Sequence, residues 1–488
     1  MKIKDLKLVN YRCFDEIKIE FDSLYNLHVL IAPNMAGKSA LLKAARIAIS
    51  TYLRKINKGG KGISFHEHRV IGSNPISDIA RNCTIEISTD LLKWSGKNWE
   101  SANVKWGVYR NYLPGEKTKY YQINGGDIDK IAPTAYDRVI ANKEQCIPLL
   151  LYVGTEYIHQ PHAITDTLKS DGSAIQGYWY CLEENSMENY VFEWLMKMHI
   201  LREEQHVKWN AAILYDDLPG IFLDSFENVI KDIFPGEIVA VQWIKDLSGK
   251  KYLLTFRFNN DEVRTYDMLS DGYRYLVLLS GELATRCLLL NKHLKYDAAK
   301  KTNGVVLIDE FGIHLHPELQ NEALKRLSAV FPNIQFIIST HSPMLINGLK
   351  KEQIHILNKD KDGKRTVINP EDDIVGLGAD GILLNIFGLE STYDTISRKW
   401  AEDYKELFNK KVDNQLTINE INQFNSLLEK LAGIKFDVSL LNSVPEDNLY
   451  IRFKERLLQL QKSNTIVDES ITDSEIDTIL KEILNKEK

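Results

Sequence analysis

Two adjacent carboxylates, Asp309 and Glu310, follow a run of apolar residues, Val305 to Ile308. An uninterrupted apolar run reads as a strand covered on both faces, as in a parallel sheet, and it leaves the acids at the strand's carboxyl end. There an aspartate can hold Mg²⁺ beside a nucleotide while the next carboxylate orients or deprotonates a water. This is the Walker B pattern. The phosphate end is supplied by APNMAGKSALLKAARIAI, 32–49, in which Ala32 to Ser39 fits GxxxxGK[ST] except at its first position. Successive backbone N–H groups at a helix start wrap phosphate oxygens, Lys38 neutralises charge on the β- and γ-phosphates, and Ser39 offers a hydroxyl to Mg²⁺. The expected ATP-binding residues are therefore Asn34, Met35, Ala36, Gly37, Lys38, Ser39 and Ala40, with Ser39 and Asp309 as the metal-holding pair. Ala32 replaces the template glycine, which is tolerable at negative φ. Met35 stands where a small residue is usual and would either narrow the loop or project towards a partner.

Two further stretches complete the pattern. In LSDGYR, 269–274, Ser270, Asp271 and Gly272 stand at the start of an apolar helix, a second anion-binding helix end. The P-loop already accounts for the phosphates of its own nucleotide, so a second such end implies a second molecule; in ABC-type ATPases the LSGGQ signature plays that part across a head-to-tail dimer. In FPNIQFIISTHSP, 331–343, another buried strand delivers His341 beside the acids, where it can hydrogen-bond a γ-phosphate and report its presence. Glu310 and His341 are the expected catalytic pair.

The elements around these motifs follow from periodicity. Ile3, Leu6 and Leu8, then Ile17, Ile19 and Phe21, alternate with charged residues and predict two half-buried strands ahead of a fully buried one at Leu27 to Ile31. Leu41, Leu42, Ala45, Ile49 and Tyr52 predict a helix directly after the P-loop. Strands are expected at Thr84–Ser88, Val104–Arg110, Tyr120–Ile123 and Ile147–Val153, together forming an antiparallel sheet over the nucleotide sheet. Helical spacing marks 165–235, without a sustained heptad series, and three strands lead from Ile238 to Met268. The turn KDKDGKRTVINPEDD reads as a hairpin. Residues 395–461 are helical in pattern, 463–474 are linker-like, and an apolar face at Ile476, Ile479, Leu480, Ile483 and Leu484 predicts a short docking helix, on its own domain or on a partner. The basic run from Arg54 to Lys61 is either a solvated charge run or a contact for a phosphate backbone.

With 488 residues, 44% hydrophobic and 26% charged, the chain has an ordinary soluble-globular composition, and its net charge of −6 gives no global attraction to nucleic acid. Five widely spaced cysteines without a CxxC suggest neither a disulfide framework nor a zinc site. The expectation is a cytoplasmic protein without a membrane span. The fold expected is α/β: a P-loop mixed sheet with an antiparallel β subdomain and a helical subdomain, followed by a C-terminal helical region. The divisions expected are 1–165 and 236–370 for the two parts of the head, 166–235 for a helical insertion, 371–462 for the helical region, and 463–488 for the linker and last helix.

On NYRCF, APNMAGKSA, LSDGYR, VVLIDEFGIHLHPE and IISTHSP the chain resembles the RecF/SMC/OLD branch of ABC-type ATPases. Within it, LSDGYR, HLHPELQ and FPNIQFIISTHSP resemble the PtuA-like group of Septu antiphage systems and some retrons. That resemblance implies that Arg12 reaches the nucleotide, that Glu310 is the catalytic carboxylate, and that ATP and Mg²⁺ are bound. It also implies a homo-oligomer built from head-to-tail dimers, an HNH nuclease partner of PtuB type, and in retrons a reverse transcriptase with its RNA–DNA product. OLD-type relatives carry a Toprim nuclease after the ATPase; Asp360 and Asp362 lack the glutamate-glycine opening of such a centre, so none is expected here. A stand-alone RecF-like DNA-repair ATPase and a nucleotide-sensing scaffold with negligible turnover remain the alternatives.

Overall fold

In the computed structural model the buried strand before the acids lies inside a six-stranded sheet. The residues described are 1–33, 36–56, 80, 82–111, 119–123, 125–142, 145–155, 157, 174–184, 188–208, 218–246, 252–359, 364–389, 393–412 and 416–433. They fall in two units, Met1–Gly388 and Leu389–Lys488.

The central sheet of the first unit has the order β14-β13-β3-β12-β11-β7. Its members are β3 (Leu27–Ile31), β7 (Leu149–Val153), β11 (Gly304–Ile308), β12 (Ile334–Ser339), β13 (Ile354–Lys359) and β14 (Arg365–Ile368). All neighbours are parallel except the β13–β14 hairpin. Every residue of β3, β7, β11 and β12 is buried, as expected for parallel strands covered on both faces. This corrects the expectation for Ile147–Val153. The strand there joins the nucleotide sheet beside β11, Ile308 opposite Val153, because its unbroken apolar run suits a doubly covered strand and not an alternating antiparallel one.

A second, antiparallel sheet, β2-β1-β4-β5-β6, comprises β1 (Lys2–Tyr11), β2 (Phe14–Glu20), β4 (Asn82–Trp94), β5 (Trp99–Asn111) and β6 (Lys119–Ile123). It is fastened to the first by side chains. Gln335 of β12 both accepts from Ile3 N–H, at 2.7 Å, and donates to Ile3 O, at 2.9 Å, and Trp106 Nε1 donates to Ala48 O at 2.9 Å on helix α1 (Lys38–Ile56). Helix α2 (Gly125–Asn142) occupies a stretch for which only strands were expected; its buried Ile128, Ile131, Ala132 and Val139 carry helical spacing, although Pro133 sits inside it.

Helices α3 (Glu188–Lys208) and α4 (Leu218–Ile233) precede the three-stranded sheet of β8 (Ile238–Lys245), β9 (Tyr252–Phe258) and β10 (Val263–Thr265). The chain then enters α5 (Asp271–Leu290), buried along most of its length, followed by α6 (Ala298–Lys301), α7 (Pro317–Val330) and α8 (Ala379–Asn385). A buried ion pair stiffens α5: Arg286 Nε donates to Glu282 Oε1 at 2.8 Å, Arg286 Nη1 donates to Gly177 O at 2.7 Å, and Tyr157 O–H donates to Glu282 Oε2. The second unit contains α9 (Thr395–Val412) and α10 (Ile418–Gly433), packed through Tyr404, Leu407, Phe424, Leu427 and Leu431. The predicted linker and docking helix, and most of the basic run after Arg54, lie outside the described residues. Among the described residues no helix is long and apolar enough to cross a membrane.

Near the amino-terminal ends of their strands, β3 and β13 bring two fully buried imidazoles together, His28 Nδ1 to His355 Nε2 at 3.2 Å. His28 Nε2 faces the carbonyl of Tyr25, which can only accept. The His28 proton therefore sits on Nε2, and His355 Nε2–H donates to His28 Nδ1. Burial holds His28 down to about 4 and His355 to about 3, each from 6.5. Both folded values lie below the unfolded one, so the native state is fully favoured above pH 6.5 and loses stability as pH falls from there towards 4. The loss approaches about 1.4 kcal/mol per pH unit for each imidazole. Thermal melts across that range should show a steep fall in Tm that His355→Leu flattens; parallel falls would assign the acid sensitivity elsewhere.

Candidate functional site

The site forms where the carboxyl ends of β3, β11 and β12 meet the start of α1. The P-loop follows β3. Ala32 is absent from the positive-φ positions, so alanine fits in place of glycine without strain, whereas Gly37 has φ 114° and needs glycine. Gly37 is also crowded: a Cβ there would lie 2.5 Å from the Phe14 ring and 2.8 Å from Cys13 Sγ. Ala36 and Ala40 are buried at either side. Asn34 and Met35 lie outside the described residues. Lys38 is buried, and its Nζ donates to Ala32 O at 2.8 Å, closing the loop over its own start. Burial lowers the Lys38 pKa, and the negative charges of Glu310 and Asp309 oppose the shift.

Walker A and Walker B residues meet directly. Ser39 Oγ donates to Asp309 Oδ1 at 3.0 Å, across 270 residues of sequence. Ser339, the last residue of β12, ties both acids: its hydroxyl donates to Asp309 Oδ1 at 2.5 Å and accepts from Glu310 N–H at 2.8 Å. Glu310 itself has φ 56°, a left-handed conformation that costs a non-glycine residue about 1 kcal/mol or more. The bonds from Glu310 N–H to Ser339 Oγ and from Phe311 N–H to Ser339 O, at 2.9 Å, hold that bend in place.

Beyond Glu310 lies a cavity of about 310 Å³, lined among others by Glu310, Gly312, Gln320, Thr340, His341 and Ser342. The His341 pKa is lowered, first by burial and then by the positive charge of Lys38, with Glu310 and Asp309 pulling the other way, so its imidazole is neutral at neutral pH. Gln320 of α7 joins the two loops that form the cavity. It donates to Gly312 O at 2.7 Å and Leu315 O at 3.0 Å, and accepts from Ser342 Oγ at 2.6 Å. Thr340 Oγ1 adds a bond to Phe311 O at 2.9 Å. The displacement of His341 relative to Glu310 is thus resisted by a continuous hydrogen-bonded bridge.

Arg12 occupies the two-residue turn between β1 and β2 with φ 49°, its guanidinium 5.9 Å from the Tyr11 ring centre. Cys13 of that turn and Phe14, the first residue of β2, pack on the P-loop. Ser270 caps the start of α5 by backbone position and its side chain makes no capping bond; Ser270 and Asp271 are exposed. Gly272 is buried, and a Cβ there would come within 2.9 Å of His314 O, so the start of α5 rests on the loop that follows Glu310. The structure thus brings Lys38, Ser39, Asp309, Glu310 and His341 into one electrostatic neighbourhood, whereas Ser270 and Asp271 face outward from a neighbouring helix end. Sequence reasoning did not single out Ser339 or Gln320; HLHPELQ contained Gln320, but its partners on separate loops left no local signal.

A largely parallel sheet whose chain carries a P-loop, an LSDG helix start, paired acids and a strand-end histidine in this order has the fold of an ABC-type ATPase head. Residues 1–104 match the family model "AAA ATPase domain", and residues 197–347 match "AAA domain, putative AbiEii toxin, Type IV TA system". The chain is 32% identical over 459 residues to the Retron Ec83 probable ATPase of Escherichia coli, covering 83% of this chain and 80% of that protein. On these grounds the chain belongs to the PtuA-like family of Septu and retron ATPases. It is 29% identical over 198 residues to the Retron Vc95 probable ATPase of Vibrio cholerae serotype O1 biovar El Tor, covering 38% of each chain. It is 26% identical over 265 residues to Septu protein PtuA of Bacillus mycoides (strain KBAB4), covering 54% of this chain. Those two matches span 38% and 34% of the relatives' own lengths. Among solved structures, an SMC head bound to the C-winged helix domain of ScpA is similar with a TM-score of 0.43 at 14% identity, over 76% of this chain and 98% of that one.

Proposed function

We propose that the chain binds and hydrolyses ATP, associates head-to-tail with a second copy over the nucleotide, and through that cycle regulates a separate HNH nuclease. The observation that carries the catalytic part is the 3.0 Å contact between Ser39 Oγ and Asp309 Oδ1, beside Lys38 and Glu310. Two hard oxygens of this kind fit Mg²⁺, which takes few protein ligands and completes its shell with phosphates and water. Ser39 and Asp309 would hold the ion, which would supply positive charge to neutralise the nucleotide's phosphates. Lys38 binds the same phosphates. Glu310, aimed by its left-handed backbone, accepts a proton from or orients the attacking water, and neutral His341 donates a hydrogen bond to the terminal phosphate. Ser270 and Gly272 of the second copy close the site, which accords with the exposure of Ser270 and Asp271.

Membership of the Septu and retron family supports the nuclease partner and, in a retron setting, a reverse transcriptase with its RNA–DNA product. Co-expression of the tagged chain with its native neighbours, followed by mass spectrometry of what co-purifies, tests this. A stoichiometric HNH protein whose DNA cleavage changes with ATP is the expected result. Recovery of the chain alone, with its neighbours expressed and soluble, would remove the nuclease-regulating role and leave the ATPase to stand by itself.

A further inference from the structure

The β13–β14 hairpin ends in contact with the nucleotide site through one side chain. Arg365, the first residue of β14, extends its guanidinium to two carbonyls from distant parts of the chain: Nη1 donates to Cys13 O at 2.6 Å and Nε donates to Ala36 O at 3.1 Å. Cys13 follows Arg12 in the β1–β2 turn, and Ala36 precedes Gly37 in the P-loop. We propose that Arg365 is a positioning residue for nucleotide binding, a strut that sets the P-loop for the phosphates of a nucleoside triphosphate; this rests on the ATP-binding function proposed above.

The argument is geometric. A trans peptide is planar, so its C=O and the following N–H point in opposite directions. Gripping Ala36 O therefore aims the Gly37 N–H away from Arg365, into the cradle where a P-loop presents its donors. The conformation so fixed is one that only glycine tolerates, φ 114°, and the Cys13–Phe14 turn closes over its α-carbon. The rigid guanidinium fork suits two carbonyls at once, which a lysine ammonium on a flexible stem does not reproduce. The hairpin is anchored for this role, because β13 pairs in parallel with β3, the strand that runs into the P-loop, with Ile356 opposite Ile31.

The test uses the full-length chain as wild type, Arg365→Ala, Arg365→Lys and a control at the exposed neighbour, Thr366→Ala. Titration with a fluorescent ATP analogue and Mg²⁺ is expected to give a Kd about tenfold weaker for Arg365→Ala, from loss of a hydrogen bond by each of two loop segments. Arg365→Lys should recover part of that loss and Thr366→Ala should match wild type. Turnover at saturating ATP should stay within about twofold, since no reacting group is removed. A folded Arg365→Ala variant with wild-type Kd would overturn the proposal. If wild type itself bound no nucleotide, the ATP-binding function would fail first; hydrogen exchange on nucleotide-free protein then decides the strut. Faster exchange across residues 36–38 in Arg365→Ala or Arg365→Lys supports it, and unchanged exchange refutes it.

Discussion

Glu310→Gln should reduce ATP turnover roughly 10²-fold or more, the range for losing a positioned general base, while ATP affinity stays near wild type. The substitution replaces one carboxylate oxygen by an amide and leaves the backbone in place. The bond from residue 310 N–H to Ser339 Oγ, and with it the anchoring of Asp309 by Ser339, is retained. What disappears is the carboxylate charge that lines the cavity beside His341 and, in the function proposed, takes a proton from the attacking water. Because binding persists without chemistry, ATP should accumulate in the site and drive the head-to-tail association proposed above. Phosphate release measured alongside light scattering after addition of ATP gives both readouts. Turnover at the wild-type rate would remove Glu310 from the catalytic role, and loss of ATP binding would recast it as a structural group of the P-loop neighbourhood.

The second large effect concerns binding. Lys38→Ala is expected to weaken ATP affinity roughly 10- to 100-fold, the range for charge-assisted hydrogen bonds of about 1.5–3 kcal/mol. Lys38 is buried, closes the loop by donating to Ala32 O at 2.8 Å, and is the cation facing Asp309 and Glu310. Its removal would therefore delete the phosphate partner proposed above and leave two carboxylates less compensated beside an incoming polyanion. Both changes act in the same direction. Calorimetric titration of the folded variant with ATP and Mg²⁺ is the measurement, and unchanged affinity would show that the phosphates are held elsewhere. The pair of variants separates the two halves of the site: one should bind without turning over, and the other should fail at the earlier step.

Local sequence determined a good deal here. The buried strands before Asp309 and before His341, the helix after the P-loop, the helix start at Ser270 and the hairpin at 354–368 each announce themselves within a dozen residues. They do so because apolar runs, glycines and capping positions act through neighbours in the chain. The tolerance of Ala32 was likewise a local matter of φ. Less was legible where the chain had a choice of neighbours. Leu149–Val153 gave a clear strand signal but no information on which sheet it would join, and α2 carried its periodicity through a stretch dominated by strand formers on either side.

The chemistry depends most on what no local pattern contains. Motif order foretold that a P-loop serine and a Walker B aspartate belong to one site; the 3.0 Å contact between Ser39 and Asp309 required β3, β12 and β11 to pair in parallel and in register. Ser339 and Gln320 act through partners on other loops, and Arg365 reaches Cys13 and Ala36 from more than 320 residues away in sequence. Hydrogen bonds of that kind are set by distance in space, and side chains that make them carry no periodicity of their own. The residue types and their order thus fixed the kind of chemistry in advance, and packing of the two sheets decided which side chains hold its groups in place.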